Sequence, residues 1–292
     1  MNKRAIVFGG RGQDGYYMAS RLRASNIDTL QVGHAECPVG HASSVDELIR
    51  QYRPDYVFHF AAVSSTHYST LLRNQDAIVN GTVSILSSVK ERVPKAKVFL
   101  AGSVLQFAGD TIALNSPPSY ASAYAAQRNA ATAIARFYRS DGLDVYIGYF
   151  TRHESPRRAH NHLSQRIVQT IKRMAAGSSE NLIVHNPSDR MEWNFAGDFM
   201  EAVWLQIHSN VHELIIGSGV AHSITDFVQA CFDCTELKMG DRCEAIYSGS
   251  PATSFTEPTH LKALGWKPLV DLGGLAQMMV WSEPPPDSDA QS

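Results

Sequence analysis

Three glycines, Gly9, Gly12 and Gly15, stand three residues apart directly after the short apolar run Arg4-Ala5-Ile6-Val7-Phe8, and helical spacing follows from Tyr16 to Ala24. Strand, glycine turn and helix in that order let the backbone turn tightly and approach a pyrophosphate, which then meets the amides and dipole of a helix N-terminus. The chemistry this predicts is the binding of a dinucleotide. Farther along, Arg157 and Arg158 are adjacent, and a pair of guanidinium forks suits the oxygens of a diphosphate.

The elements that must carry these residues alternate. Apolar runs at 29–32, 56–62, 97–101 and 144–150 are separated by helical spacing at 44–50, 77–90 and 121–140. Strands regularly separated by helices imply crossover connections and a parallel, doubly wound α/β sheet of the Rossmann type. Beyond Phe150 the rhythm loosens. Residues 199–207 read as a helix and 213–216 as a buried strand that returns to the sheet; helical patches follow at 224–234 and 261–266. The expected division is a dinucleotide-binding domain over 1–150, joined by the returning helix and strand near 196–217, and a smaller, mainly substrate-binding cap over 151–283. The run 284–292 lacks apolar residues to bury and is expected to be a disordered tail.

Composition narrows the partners. The chain of 292 residues is 44% hydrophobic, with 26 Lys plus Arg against 28 Asp plus Glu, so no cationic excess calls for nucleic acid or an anionic membrane. The first apolar run is too short for a membrane span. Cys231 and Cys234 have the spacing of half a zinc site, but they fall on helical spacing with only Cys243 nearby; free thiols, no metal and a cytoplasmic location are expected.

The string Gly12-Gln13-Asp14-Gly15 resembles the opening of the GDP-mannose 4,6-dehydratases of the extended short-chain dehydrogenase/reductase family. Phe60-Ala61-Ala62-Val63-Ser64 is similar to that family's strand-end segment beside the cofactor. Arg152-His153-Glu154-Ser155-Pro156-Arg157-Arg158 matches an Asn-His-Glu-Ser-Pro-Arg-Arg string in all but its first residue. Glu192-Trp193-Asn194-Phe195-Ala196-Gly197-Asp198-Phe199 and Leu264-Gly265-Trp266-Lys267-Pro268 extend the likeness over about residues 4 to 281.

The resemblance implies a catalytic group of Ser103, Tyr124 and Arg128, with the last two on one helical face. It implies cofactor contacts from Gly9, Gly12, Gln13, Asp14, Gly15, His34, Ala61, Ala62, Ser64, Arg128, His153 and Arg158, and substrate contacts from Glu154 and Arg157. His34 stands where the resembling enzymes carry arginine, which makes NADP the preferred cofactor over NAD. The substrate implied is a nucleotide sugar, specifically a GDP-hexose, the reaction is hydride transfer at sugar C4, and the assembly is a homodimer paired through the Tyr124 helix.

Several positions depart from the family pattern. Arg128 replaces a lysine, and the two are not equivalent at a tight site. Leu105 replaces the glutamate that 4,6-dehydratases use as acid/base, and Gln106 cannot carry its proton. Met191 stands in place of an arginine, an Arg-Pro element before the final helices is missing, and the family's Gly-Asp segment after the second strand is shortened or absent. A nucleotide-sugar 4-reductase or epimerase, or a catalytically weakened nucleotide- or cofactor-binding protein, are the alternatives these departures open.

Overall fold

The computed structural model describes residues 2–282; the expected tail at 284–292 lies outside the described residues. Six parallel strands form the main sheet: β1 (Arg4–Phe8), β2 (Asp28–Val32), β3 (Tyr56–His59), β4 (Lys97–Ser103), β5 (Asp144–Phe150) and β6 (Glu213–Ile216). All but β2 are buried along nearly their whole length, which is why they read as continuous apolar runs rather than alternating ones. β2, half-exposed at the sheet edge, is the weakest apolar run of the six.

Three helices cover one face: α2 (Ala42–Tyr52), α3 (Gly81–Arg92) and α4 (Ala123–Ser140). Their residues Val45, Ile49, Ile85, Leu86, Val89 and Ala135 share a core with Ile6, Val57, Val98 and Val145. On the opposite face lie α1 (Gln13–Ala24) and, farther along the chain, the returning α6 (Ala196–Ile207), which bury Met18, Leu22, Phe199 and Val203 against Val7, Phe58 and Phe99. The order β6-β5-β4-β3-β1-β2 makes β2 the end of the first half of the sheet. The chain passes from it through only nine residues to α2 and then to β3, on the other side of β1. The shortening after the second strand thus leaves the winding with its reversal between β1 and β3, where open α/β sheets bind ligands beyond the carboxyl ends of their strands.

A separate core lies beyond β5. It is built from α5 (Leu163–Ala175), α7 (Ile224–Asp233) and α8 (Leu272–Trp281) with Leu182, Val184 and Trp193; Trp193 stacks on Phe227 at 4.2 Å. Asp198 on α6 accepts bonds from Leu269 and Val270 N–H, both at 2.9 Å, and Trp266 Nε1 donates to the Asp198 carbonyl. The closing Gly-Trp-Lys-Pro string and the Asp of the earlier Trp-x-x-Ala-x-Asp string therefore meet.

The outer edge of the sheet is pinned to α4 by charge. Glu213 on β6 receives Arg136 at 2.7 and 2.9 Å, Arg139 at 2.8 Å and the Tyr149 hydroxyl at 2.8 Å. Burial pushes the Glu213 carboxyl up, but these donors outweigh it and hold it at about 2. A depressed folded pKa contributes stability above the ordinary glutamate range and loses it as pH falls towards 2. Discounted for the half-exposed Arg136, the cluster contributes about 2 kcal/mol. Glu213→Gln is expected to lower unfolding free energy by that amount at pH 7, with the gap from wild type closing between about pH 5 and pH 2 in urea titrations.

Candidate active site

The glycine turn sits at the carboxyl end of β1 and has no room for side chains. Gly9 has φ +76°, and a Cβ there would lie 2.6 Å from Ala61 N. A Cβ on Gly15 would strike the Gly9 carbonyl. Gly12 N–H closes the turn on the same carbonyl at 3.0 Å, and α1 starts at the next residue with its first amides free of intrahelical partners. These are the features a pyrophosphate needs. Ala61 and Ala62 pass beside the turn at the end of β3, and Asn74, which is buried, fixes the following segment by accepting from Val63 N–H at 2.8 Å. No sequence motif singles out Asn74.

The glycine turn is tied to the Arg152–Arg158 string by a buried network. Gln13 Nε2 donates to the His153 carbonyl at 3.2 Å and Ser155 Oγ donates to Gln13 Oε1 at 2.8 Å. His153 Nε2 lies 2.9 Å from Asp14 Oδ1 and Nδ1 lies 2.7 Å from the Thr151 carbonyl. Both partners are acceptors only, so the two bonds form together only when both ring nitrogens carry protons. Burial pushes the Asp14 carboxyl up, yet His153 and Arg158 draw it below its usual range. The Arg158 charge also offsets a carboxylate placed beside an anion site. Gln13, Asp14 and His153 thus hold the turn with their side chains, and it is the backbone of Gln13 and Asp14 that faces the anion position.

Glu154 is fully buried. It accepts from Ser164 Oγ at 2.6 Å and pairs with Arg158 at 3.4 Å and Arg152 at 3.5 Å. Glu154, expected to contact substrate, thus lies beneath two arginines and pairs with both. Arg158 also donates to Ser64 Oγ at 3.4 Å and to His162 Nδ1 at 3.1 Å; burial and the neighbouring Arg158 push His162 down to about 4, which keeps it an acceptor. Arg157 lies over the Tyr16 ring at 4.0 Å. Arg152, at the one position where the string departs from the family, lies over Trp193 at 5.7 Å.

Ser103 ends β4. Its N–H donates to Gln106 Oε1 at 2.9 Å, its Oγ accepts from Leu105 N–H at 3.3 Å, and Gln106 Nε2 reaches Asn129 and Thr132 on α4. Gln106 thereby docks the Ser103 turn against the helix that carries Tyr124. Arg128 Nε donates to Tyr124 Oη at 3.1 Å, and Arg128 Nη1 donates to the Ala101 carbonyl. Arg128 is 6% exposed, and these two bonds place its guanidinium, expected to contact a ribose, against Tyr124 and the end of β4. Leu105 is half-exposed.

At the end of β2, His34 is exposed. The residue that organises this strand end is Glu36, which accepts from Gly33 N–H at 2.8 Å and pairs with Arg11 of the glycine turn. Neither was singled out by spacing, because Glu36 lies four residues past the strand and turns back. Cys231 is buried in the second core, and Cys234 Sγ donates to the Ala230 carbonyl. Among the described residues no helix is long and apolar enough to cross a membrane.

A doubly wound sheet whose switch point carries a side-chain-free phosphate cradle defines a dinucleotide-binding α/β protein. The chain belongs to the NAD dependent epimerase/dehydratase family, whose model matches residues 5–217. It is 28% identical over 324 aligned residues to GDP-mannose 4,6 dehydratase 1 of Arabidopsis thaliana, covering 95% of this chain and 89% of that one. It is 25% identical to the human GDP-mannose 4,6 dehydratase, covering 78% and 71%. Among solved structures, RMD from Pseudomonas aeruginosa complexed with NADPH superposes with a TM-score of 0.84 at 18% identity, covering 96% of this chain and 97% of that one. A Thermotoga maritima UDP-glucose 4-epimerase with UDP-glucose superposes at 0.82 and 18%, covering 95% and 97%. These two structures share the fold.

Proposed function

We propose that this protein is an NAD(P)-dependent enzyme acting on a nucleotide sugar, specifically a GDP-hexose, by hydride transfer at sugar C4. The observation that carries this reading is the Tyr124 hydroxyl, bonded to a buried guanidinium at 3.1 Å on a helix docked to the Ser103 strand end. A bound nicotinamide would supply the hydride acceptor or donor. Tyr124 then takes or returns the C4 hydroxyl proton, with the Arg128 cation stabilising its anionic form. Ser103 Oγ keeps its own proton free to orient the sugar oxygen. Arg152, Arg157 and Arg158 offer forks to the diphosphate. The cap over 151–283 holds the sugar nucleotide against the sheet.

GDP-mannose 4,6-dehydratase-like is the family-level description, and Leu105 favours a second reading. An exposed leucine cannot remove a C5 proton or help expel a C6 hydroxyl, so a 4-reductase or epimerase fits the side chains better than a full dehydration. Purified protein incubated with a panel of nucleotide sugars and both nicotinamide cofactors, with products weighed by mass spectrometry, tests these readings. A gain of two hydrogens marks the reductase, an unchanged mass with altered stereochemistry the epimerase, and a loss of water the dehydratase. Binding of cofactor without any turnover would replace them all with the reading of a binding protein.

For the cofactor, NADP remains the proposed partner, through Arg11 as well as His34. A 2′-phosphate attracts the Arg11 guanidinium, which Glu36 now holds, and meets repulsion from the Glu36 carboxylate. Glu36→Gln is expected to raise the NADP-to-NAD affinity ratio about tenfold, measured by calorimetric titration of both. Assembly as a homodimer through α4 is supported by exposed Phe137 on α4 and Val83 on α3. Light scattering should give twice the chain mass. A cytoplasmic location completes the reading.

A further inference from the structure

We propose that His59 is a positioning residue for Arg128, and through it for Tyr124, acting across a small polar cavity that holds one water between the imidazole and the guanidinium. The inference rests on the reading of Tyr124 as the acid/base.

His59 is the last residue of β3 and is 2% exposed. Neither ring nitrogen makes a well-formed hydrogen bond to protein, although the Ala77 carbonyl lies close enough to favour a ring N–H, and an unpaired nitrogen in a packed interior costs free energy unless something else is bound there. His59 and Arg128 line the same small, partly open space, with Thr82, Ala101 and Thr132. That space measures about 10 Å³ for water centres, enough for a single molecule. Room for the imidazole comes from Gly81, where a Cβ would lie 3.3 Å from Nε2.

The donors and acceptors match this arrangement. Thr82 Oγ1 already donates to the Ile78 carbonyl at 2.7 Å, and Thr132 Oγ1 accepts from Gln106. Arg128 uses Nε and one Nη1 proton on Tyr124 and Ala101, which leaves three N–H donors. Burial first, and the Arg128 charge second, push His59 down to about 3, so the ring is neutral and presents a lone pair. A water that accepts from one Arg128 N–H and donates to that lone pair joins the two groups, while the ring N–H faces the Ala77 carbonyl. Arg128 is the charged group facing His59 here; β4 contributes Leu100 and Ala101, α4 Ala131 and Thr132, β5 Ile147 and α3 Thr82, while Gly81 and the Ala77 carbonyl lie against the ring itself. Without the imidazole the guanidinium loses one of its anchors and is free to rotate from beneath Tyr124.

The test compares His59→Leu with the polar His59→Gln. His59→Leu should move the acidic limb of the kcat profile up by about one pH unit and lower neutral kcat about tenfold, with KM within about twofold. His59→Gln, which can still accept from the water, should stay within about threefold of wild type. Equal behaviour of the two variants overturns the proposal. Should the protein prove to have no turnover, high-resolution crystal structures decide separately from the enzymatic reading. An ordered water between His59 and Arg128 in wild type, and a displaced guanidinium in His59→Leu, support the proposal. A dry cavity, or a guanidinium still on Tyr124 in the variant, sinks it. If His59→Leu does not fold, the wild-type water alone decides.

Discussion

Tyr124→Phe is expected to lower kcat on whichever nucleotide sugar is turned over by about 10²- to 10⁴-fold, while leaving cofactor affinity within about twofold of wild type. The phenolic oxygen is the one group in the arrangement that can both bond a sugar hydroxyl and exchange its proton. Its ring remains in the variant, so packing on α4 changes little. On the proposed reading the dinucleotide is held elsewhere, by the Gly9–Gly15 turn and the Ala61-Ala62 segment, away from the lost oxygen. Stopped-flow turnover and calorimetric titration, run on the same preparation, separate the two effects. A variant that turns over at the wild-type rate would move the acid/base to another residue, and one that loses cofactor binding as well would show that Tyr124 supports the nucleotide site rather than the chemistry.

The glycine turn was readable because its constraint is local: a phosphate cradle that excludes Cβ atoms leaves glycine at fixed spacing, and strand and helix periods on either side say where it sits. The sheet was readable for the same reason, since buried parallel strands are continuous apolar runs. Side-chain direction was not. Arg128 stands at the spacing of a cofactor-facing cation, yet its longer fork reaches inwards to the Ala101 carbonyl on β4, and no linear pattern records that acceptor. Glu154 looks like a ligand-facing carboxylate because it lies among arginines; Ser164, ten residues later, folds over it and makes it their support. Glu36 escapes for a similar reason, because only the turn back to Gly33 brings it beside Arg11. The helices α5 and α8 were also missed, although Ile167, Val168, Ile171 and Met174 stand at helical spacing in α5.

The same long-range folding sets the largest expected loss of stability. Glu192 is 2% exposed and makes no ion pair among the described residues, yet it collects donors from four separate stretches of chain. Thr256 N–H and Oγ1 reach Oε1 at 2.8 and 2.7 Å, while Ser218 N–H, Gly219 N–H, Asn194 Nδ2 and Thr151 Oγ1 reach Oε2 at 2.8 to 3.4 Å. Three are main-chain N–H groups, that of Thr256 buried and those of Ser218 and Gly219 part-buried, and a carboxylate is the side chain that can accept from all of them at once. Glu192→Ala leaves these donors unpaired and should cost about 3–5 kcal/mol in chemical unfolding, with a lowered Tm. Glu192→Gln keeps the shape but turns an amide N–H₂ towards donors on one side, and should fall between the two. The cost should extend to the nucleotide site, because Thr151 and Asn194 together fix the backbone at Arg152, and Asn194 bonds its carbonyl at 3.0 Å. That backbone leads directly into His153, the partner of Asp14 in the glycine turn. Cofactor affinity measured below the unfolding transition should therefore weaken in Glu192→Ala even in the fully folded fraction. A loss under about 1 kcal/mol with unchanged affinity would mean that the carboxylate does not join the cap to the sheet in this way.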